Sequence, residues 1–212
     1  MLACDFVVID FETTGLSPVA GDRITEVAAV RILGGRITGR FESLANSGVR
    51  IPPFIEAYTG ISQRMVDGAP PSEVVIRDLL AFIGTSPVVA HNASFDQRFL
   101  SSECTRARLA SSHDDFICTM RLSRRVYPRM ASYSLATIAN QLKIVYRGAA
   151  HRAGADAEVT AELMIKLGSD LKARYSHLSI DALLLRRLMR MPAAKVSSML
   201  TQQTAEVTAS KW

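Results

Sequence analysis

The sequence predicts an α/β domain built on a mixed sheet covered by helices. Three strand-like runs follow one another near the N-terminus, a short wholly apolar run follows at 87–90, and helical periodicity occupies most of the remainder. Residues 5–11 (DFVVIDF) are β-branched and aromatic, and 24–33 (ITEVAAVRIL) read as a second strand. Gly34-Gly35 marks a hairpin turn into a third strand over 36–45, so the sheet opens antiparallel. Pro52-Pro53 ends that section. Over 72–83, Val75, Leu79, Phe82 and Ile83 share a helical face, with Ser72 placed as N-cap. The apolar run at 87–90 (PVVA) suits a buried inner strand.

A helix is predicted over about 95–107, opened by a Ser94–Gln97 capping box. Two short helices follow at 118–126 and 134–142. A longer one spans 154–174, with Ala157, Ala161, Met164, Ile165 and Leu167 near one side. Residues 179–190 are amphipathic, which fits either a helix packed on the domain or one offered to a partner. Beyond Pro192 the sequence turns small and polar and reads as a loose tail. The expected organisation is a domain over 1–175 and a C-terminal helix and tail over 176–212.

Composition limits the function classes. The chain has 212 residues, 48% hydrophobic and 21% charged, which excludes a disordered or collagen-like chain. A net charge of +5 permits a polyanionic partner without requiring one. Cys4, Cys104 and Cys118 are odd in number and widely spaced, which favours a reducing, cytoplasmic setting over a disulfide framework. Asp5 and Asp10 break the first apolar run, no basic segment precedes it, and no stretch reaches membrane-spanning length. Neither a secretory leader nor a membrane partner is expected.

Asp10 and Glu12 stand at i and i+2, so both carboxylates leave one face of a strand. They are either solvated at the strand end or neutralised by cations, because a buried pair of like charges is costly. Thr13, Thr14 and Gly15 follow directly: two hydroxyls and a flexible residue beside carboxylates of the kind that bind hard divalent cations. Asp96 falls in the first turn of a helix, just after His91-Asn92, where an acid is also ordinary. His151 and Asp156 lie where a loop enters the 154–174 helix. Taken singly these are common positions; together they place acids and a histidine at strand ends and helix starts, where α/β sheets gather their sites.

These residues fall into segments that resemble the DEDDh group of 3′–5′ exonucleases, the family of the proofreading subunits and domains of bacterial replicative DNA polymerases. VVIDFETTGL at 7–16, VAHNASFDQRFL at 89–100 and HRAGADAEVT at 151–160 are similar to its three motifs. TGISQRMVDGAP at 59–70 and SYSLATIANQL at 132–142 resemble its intervening segments. The likeness covers roughly 5–172, and Gly154 stands where the family usually has Leu.

The resemblance implies a ribonuclease H-like fold and phosphodiester hydrolysis at the 3′ end of single-stranded DNA, in proofreading or repair. It implies Mg²⁺ or Mn²⁺, two ions in all. Asp10, Glu12 and Asp156 would hold one ion, Asp10 would bridge to a second, and Asp96 would support that one directly or through water. His151 would be the general base, since imidazole titrates close enough to neutrality to accept a water proton. Thr13, Thr14 and Asn92 would hold the terminal nucleotide. Leu16 would either wedge against its base or pack in the core.

From Phe116 to Ala155 the chain has no acid and seven basic residues (Arg121, Arg124, Arg125, Arg129, Lys143, Arg147 and Arg152). The stretch reads as a track for a phosphate backbone or as a solvated face. An RNA substrate and a non-catalytic, polymerase-associated module are the competing readings, and the intact acidic set argues against the latter. A zinc site at His113 and Cys118 is poorly supported by spacing. The chain is too short to include a polymerase, so proofreading would require association with a DNA polymerase subunit.

Overall fold

Strand β1 (Phe6–Thr13) lies at the centre of a five-stranded sheet of order β3-β2-β1-β4-β5, in a computed structural model that describes residues 2–110, 113–148 and 151–209. β2 (Ile24–Leu33) and β3 (Arg36–Leu44) form the antiparallel half. Gly34 and Gly35 between them have φ of 58° and 73°, a left-handed pair that suits glycine at a tight hairpin. β4 (Val88–Ala90) and β5 (Ile117–Cys118) run parallel to β1. β4 is wholly buried, as an inner parallel strand should be.

The helices are α1 (Pro53–Thr59), α2 (Gln63–Asp67), α3 (Ser72–Ile83), α4 (Ser94–Ala107) and α5 (Thr119–Val126). α6 (Leu135–Leu142), α7 (Ala153–Arg174), α8 (Ala182–Arg190) and α9 (Ala193–Ala209) complete them. Strand alternation sorts them into layers. On one face Phe41 and Arg31 meet Phe82 of α3, and Gly39 lies against the same ring. On the other face Glu26 and Arg40 reach Arg152 and Glu158, at and on α7. The register pairs Asp10 with Ala28 and Glu12 with Glu26, so both β1 acids fall on the α7 face.

Several local expectations are corrected. α3 starts after Pro71, and Ser72 is its first residue; the Ser72 hydroxyl instead accepts from Arg23 Nη2 at 3.0 Å. The Ser94–Gln97 capping box does not form: Ala93 precedes α4 without a side-chain cap, and Gln97 donates to the Asp114 carbonyl. α1 arises where Pro52-Pro53 suggested only an end, because proline at the first helical position loses no hydrogen bond. Gly154 lies so close to Glu42 that an added Cβ would sit 2.7 Å from its carboxylate, so a leucine there requires Glu42 to move.

Beyond residue 175 the structure has two helices rather than one and a loose tail; residues 210–212 lie outside the described set. Asp181 caps α8 by accepting from the Leu184 amide at 2.9 Å. Ile180 pairs with Leu2 beside the sheet. Leu178, Leu185, Leu188, Val196 and Leu200 are buried in the same apolar cluster as β1 and β4. Among the described residues, no helix is long and apolar enough to cross a membrane.

Candidate active site

The site forms where β1 outruns β4. Their parallel pairing covers Val7 and Val8, and β4 ends at Ala90, so the carboxyl end of β1 projects past its neighbour. This is the edge at which α/β sheets hold ligands. A cleft of about 390 Å³ opens there, lined by Asp10, Glu12, Thr13, Asn92, Asp96, His151 and Asp156, with Leu16, Ile55 and Tyr58 among its apolar residues. The first turn of α7 carries Asp156 to the two β1 acids. Oxygens of Asp10, Glu12 and Asp156 lie within 4.8 Å of one another, each residue half-buried.

Among the described residues no side-chain cation forms an ion pair with these carboxylates, and the cost appears in their proton affinities. Burial, then Asp96, Asp156 and Glu12, pushes Asp10 well above the usual carboxylate range. Burial, then Asp156 and Glu26, raises Glu12 to about 7, against a smaller lowering by Arg152. Asp156 is also raised by burial, opposed by hydrogen bonds from the Tyr146 hydroxyl and the His151 amide. Three hard oxygen donors held together against mutual repulsion fit a divalent cation.

Asp96 stands apart from that trio. It is 2% exposed, and burial raises it to about 8. Its own backbone N–H and that of Phe11 hydrogen-bond to it, which ties α4 to the projecting end of β1. His151 is exposed, in a left-handed conformation with φ of 64°. Its amide donates to Asp156 Oδ2 at 3.2 Å, and its ring stacks on Tyr58 with centroids 4.1 Å apart. His91, also in the cleft wall, contacts Thr119 Oγ1 through Nδ1 at 2.9 Å and the Tyr133 carbonyl through Nε2 at 3.0 Å. Because a carbonyl only accepts, Nε2 carries the proton and Nδ1 accepts from Thr119. Burial, the main cause, lowers His91 to about 4, so this neutral ring is committed to structure.

The other predicted residues divide. Thr13 lines the cleft and donates to the Gly15 carbonyl at 2.6 Å, and Asn92 lines it with φ of 58°. Thr14 is buried and accepts from the Arg23 amide at 3.0 Å, so its hydroxyl is held in the β1–β2 connection. Leu16 is 78% exposed at the cleft, which removes the core alternative. The basic stretch does not form one track. Arg121 and Arg125 donate to the carbonyls of Met189 and Met191 at the end of α8. Arg147 faces Glu162 at 3.9 Å, and Arg152 pairs with Glu26. His113 and Cys118 join no metal-binding group among the described residues.

Glu26 was not singled out by sequence. It is 1% exposed, and its carboxylate accepts from Arg152 Nε at 3.1 Å, from Arg152 Nη2, and from the Ala153 amide at 2.8 Å. It thereby satisfies an otherwise unpaired amide at the start of α7 and anchors the residue next to His151. Tyr58 and Tyr146 were missed as well. The available signal for Glu26 was an acid inside a largely apolar strand, which demands a partner.

A model of the exonuclease family RNase_T matches residues 7–164. The DNA polymerase III subunit epsilon of Aquifex aeolicus is 38% identical over 170 residues, 80% of this chain and 83% of the relative. The 3′–5′ exonuclease DinG of Bacillus subtilis is 39% identical over 79% of this chain, which spans only 18% of that protein. A PolC-type DNA polymerase III of Halalkalibacterium halodurans is 38% identical, with 82% of this chain matching 12% of the relative. Exonuclease X, solved in complex with 5′ overhanging duplex DNA, superposes with a TM-score of 0.66 at 28% identity, over 87% of this chain and 99% of that one. The nuclease domain of 3′hExo, a DEDDh family member, shares the fold at a TM-score of 0.70 and 21% identity, over 78% of this chain and 92% of that one. Since the family model spans most of the sheet and its helices, including every acid of the cleft, the chain belongs to this exonuclease family.

Proposed function

We propose that the protein removes nucleoside 5′-monophosphates one at a time from the 3′ end of single-stranded DNA, with Mg²⁺ or Mn²⁺ bound at two positions, in proofreading or repair in the cytoplasm. The observation that carries the reading is the convergence of Asp10, Glu12 and Asp156 within 4.8 Å, in a cleft that also holds His151. These three residues would hold one ion; Asp10 would share a second, supported by Asp96. When bound, such ions neutralise charge on the phosphoryl oxygens and make water a better nucleophile.

His151 takes the proton of the attacking water as its oxygen bonds to phosphorus. The P–O3′ bond breaks, and the leaving oxygen is protonated to a 3′-hydroxyl on the shortened strand. Both nitrogens of His91 are engaged, so His151 is the cleft's available imidazole. Thr13 and Asn92 line the terminal nucleotide's place. Leu16 and Tyr58, exposed by 78% and 59%, offer apolar surfaces to an unstacked base, the mode by which single strands are held. The relation to polymerase III epsilon supports work beside a DNA polymerase subunit.

The test is digestion of 5′-labelled single-stranded DNA, duplex DNA and RNA with Mg²⁺ or Mn²⁺. Expected are 5′-mononucleotides, a ladder shortening from the 3′ end, preference for single-stranded DNA, and no activity in excess chelator. Activity in the chelator, or cutting of a closed circular strand, would overturn the reading.

His151→Ala is expected to lower kcat by on the order of 10²–10⁴. The rise of rate with pH that depends on deprotonated imidazole should disappear, while the metal-induced rise in melting temperature persists. A variant with kcat within a few-fold of wild type and reduced thermal stability would make His151 a structural residue.

A further inference from the structure

Beside the catalytic cleft lies a second depression of about 390 Å³, and Asn92 belongs to both. One wall comes from the start of α4, with Ser94 and Gln97; the other is α5, with Arg121, Arg124 and Arg125. No acid lines it. Two of the arginines are fixed by hydrogen bonds: Arg121 Nη2 to the Met189 carbonyl at 3.0 Å, and Arg125 Nε to the Met191 carbonyl at 3.2 Å. Arg125 also donates to the Arg121 carbonyl at 3.0 Å. These acceptors are neutral, so the charges stay uncompensated. Arg124 is exposed, with its guanidinium 5.5 Å from the Tyr133 ring centre and an Nη2–Sδ contact of 3.9 Å to Met120. Three guanidinium groups without a carboxylate make a concave anion site, one that a phosphodiester fits in charge and in its multiple acceptor oxygens.

We propose that this depression binds a backbone phosphate of the substrate strand, on the 5′ side of the link being hydrolysed. The proposal rests on the exonuclease reading above and adds a location for the strand behind its terminal nucleotide. Its continuity with the cleft at Asn92 means that a strand seated at the acids can continue over α5. The anchored Arg121 and Arg125 supply a fixed field, and Arg124 supplies the adjustable contact. Such a contact improves binding of strands long enough to reach it and does nothing for shorter ones.

The experiment compares wild type, Arg124→Gln and Arg124→Lys on 5′-labelled single-stranded DNA of two to ten nucleotides over a range of salt. In wild type, kcat/KM should rise with length and then level off. In Arg124→Gln the ratio of kcat/KM on the decamer to that on the dinucleotide should fall by about tenfold, the worth of one charge-assisted contact. Its salt dependence on the decamer should weaken by about one phosphate contact, roughly 0.7 in the log–log slope for a single strand. Arg124→Lys should recover part of both. An unchanged ratio and slope would mean that the arginines are only solvated, and equal losses at every length would place Arg124 at the reacting link; either result overturns the proposal. Failure of the wild type to shorten any strand would instead sink the exonuclease reading.

Discussion

Asp10→Asn is expected to abolish turnover and, without divalent metal at pH 7.5, to raise the melting temperature. The two effects share one cause. Asp10 sits among Asp96, Asp156 and Glu12, all of which raise its proton affinity along with burial. Removing its charge relieves that repulsion in the metal-free fold. It also removes a proposed metal ligand from the acidic cluster, and a loss of several kcal/mol of charge stabilisation corresponds to a fall on the order of 10³-fold or more in rate. For a chain of this size each kcal/mol regained in the metal-free state shifts the melting temperature by about 2–4 °C.

The pH dependence follows from the same residues. In the metal-free fold Glu12 is raised from 4.5 to about 7, and Asp96 is raised from 3.8 to about 8. The folded state therefore holds more protons than the unfolded chain across this interval. The contribution of these two carboxylates to the stability of the metal-free protein should be fully present below their ordinary values and lost as pH rises through 7 to 8. The stability gain of Asp10→Asn should shrink toward acid pH, and Mg²⁺ should stabilise wild type more than the variant. Thermal melts at pH 5 and 7.5, with chelator or with Mg²⁺, check all three. A variant less stable than wild type at pH 7.5 without metal would show that the acids are not held in mutual repulsion.

The sheet and most helices were legible because their signals are local. β2 and α3 occur at their predicted bounds, 24–33 and 72–83, since apolar periodicity and flanking glycine or proline marked them. Asp10 and Glu12 stood out because i, i+2 on a strand is itself a statement about a face. Asp156 stood out as an acid at a helix start. For Glu26 the only signal was an acid within a strand; its role depends on the register that sets it opposite Glu12 and on the distant Arg152. The arginines misled for a related reason. Adjacency in sequence suggested one basic surface, but Arg147 turns to Glu162 of α7 and Arg152 to Glu26 of β2, while Arg121, Arg124 and Arg125 stay together on α5. α9 was hidden by small polar residues; a few apolar contacts, Val196 and Leu200 among them, dock it.

Glu26→Ala is expected to be among the most damaging substitutions away from the acidic cluster. The Glu26 carboxylate is buried and serves both the Arg152 guanidinium and the Ala153 amide. Breaking a buried ion pair by removing one partner costs about 3–5 kcal/mol. Because Arg152 keeps 34% of its side chain exposed, the lower part of that range applies, and the melting temperature should drop by roughly 6–12 °C. Glu26→Gln keeps an acceptor for the Ala153 amide and should lose less. Stability alone does not separate a packing role from a positioning role, so the decisive protein is the double variant Glu26→Leu with Arg152→Met. An apolar pair in place of a buried ion pair is often close to neutral for stability. The backbone between His151 and Ala153 would nevertheless lose the charged anchor that holds it against β2. Displacement of a catalytic group by about 1 Å can cost on the order of 10²-fold. The double variant should therefore melt near wild type yet show kcat reduced by at least about tenfold, with KM for a long strand little changed. If it melts near wild type and turns over normally, the Glu26–Arg152 pair holds the fold without placing His151.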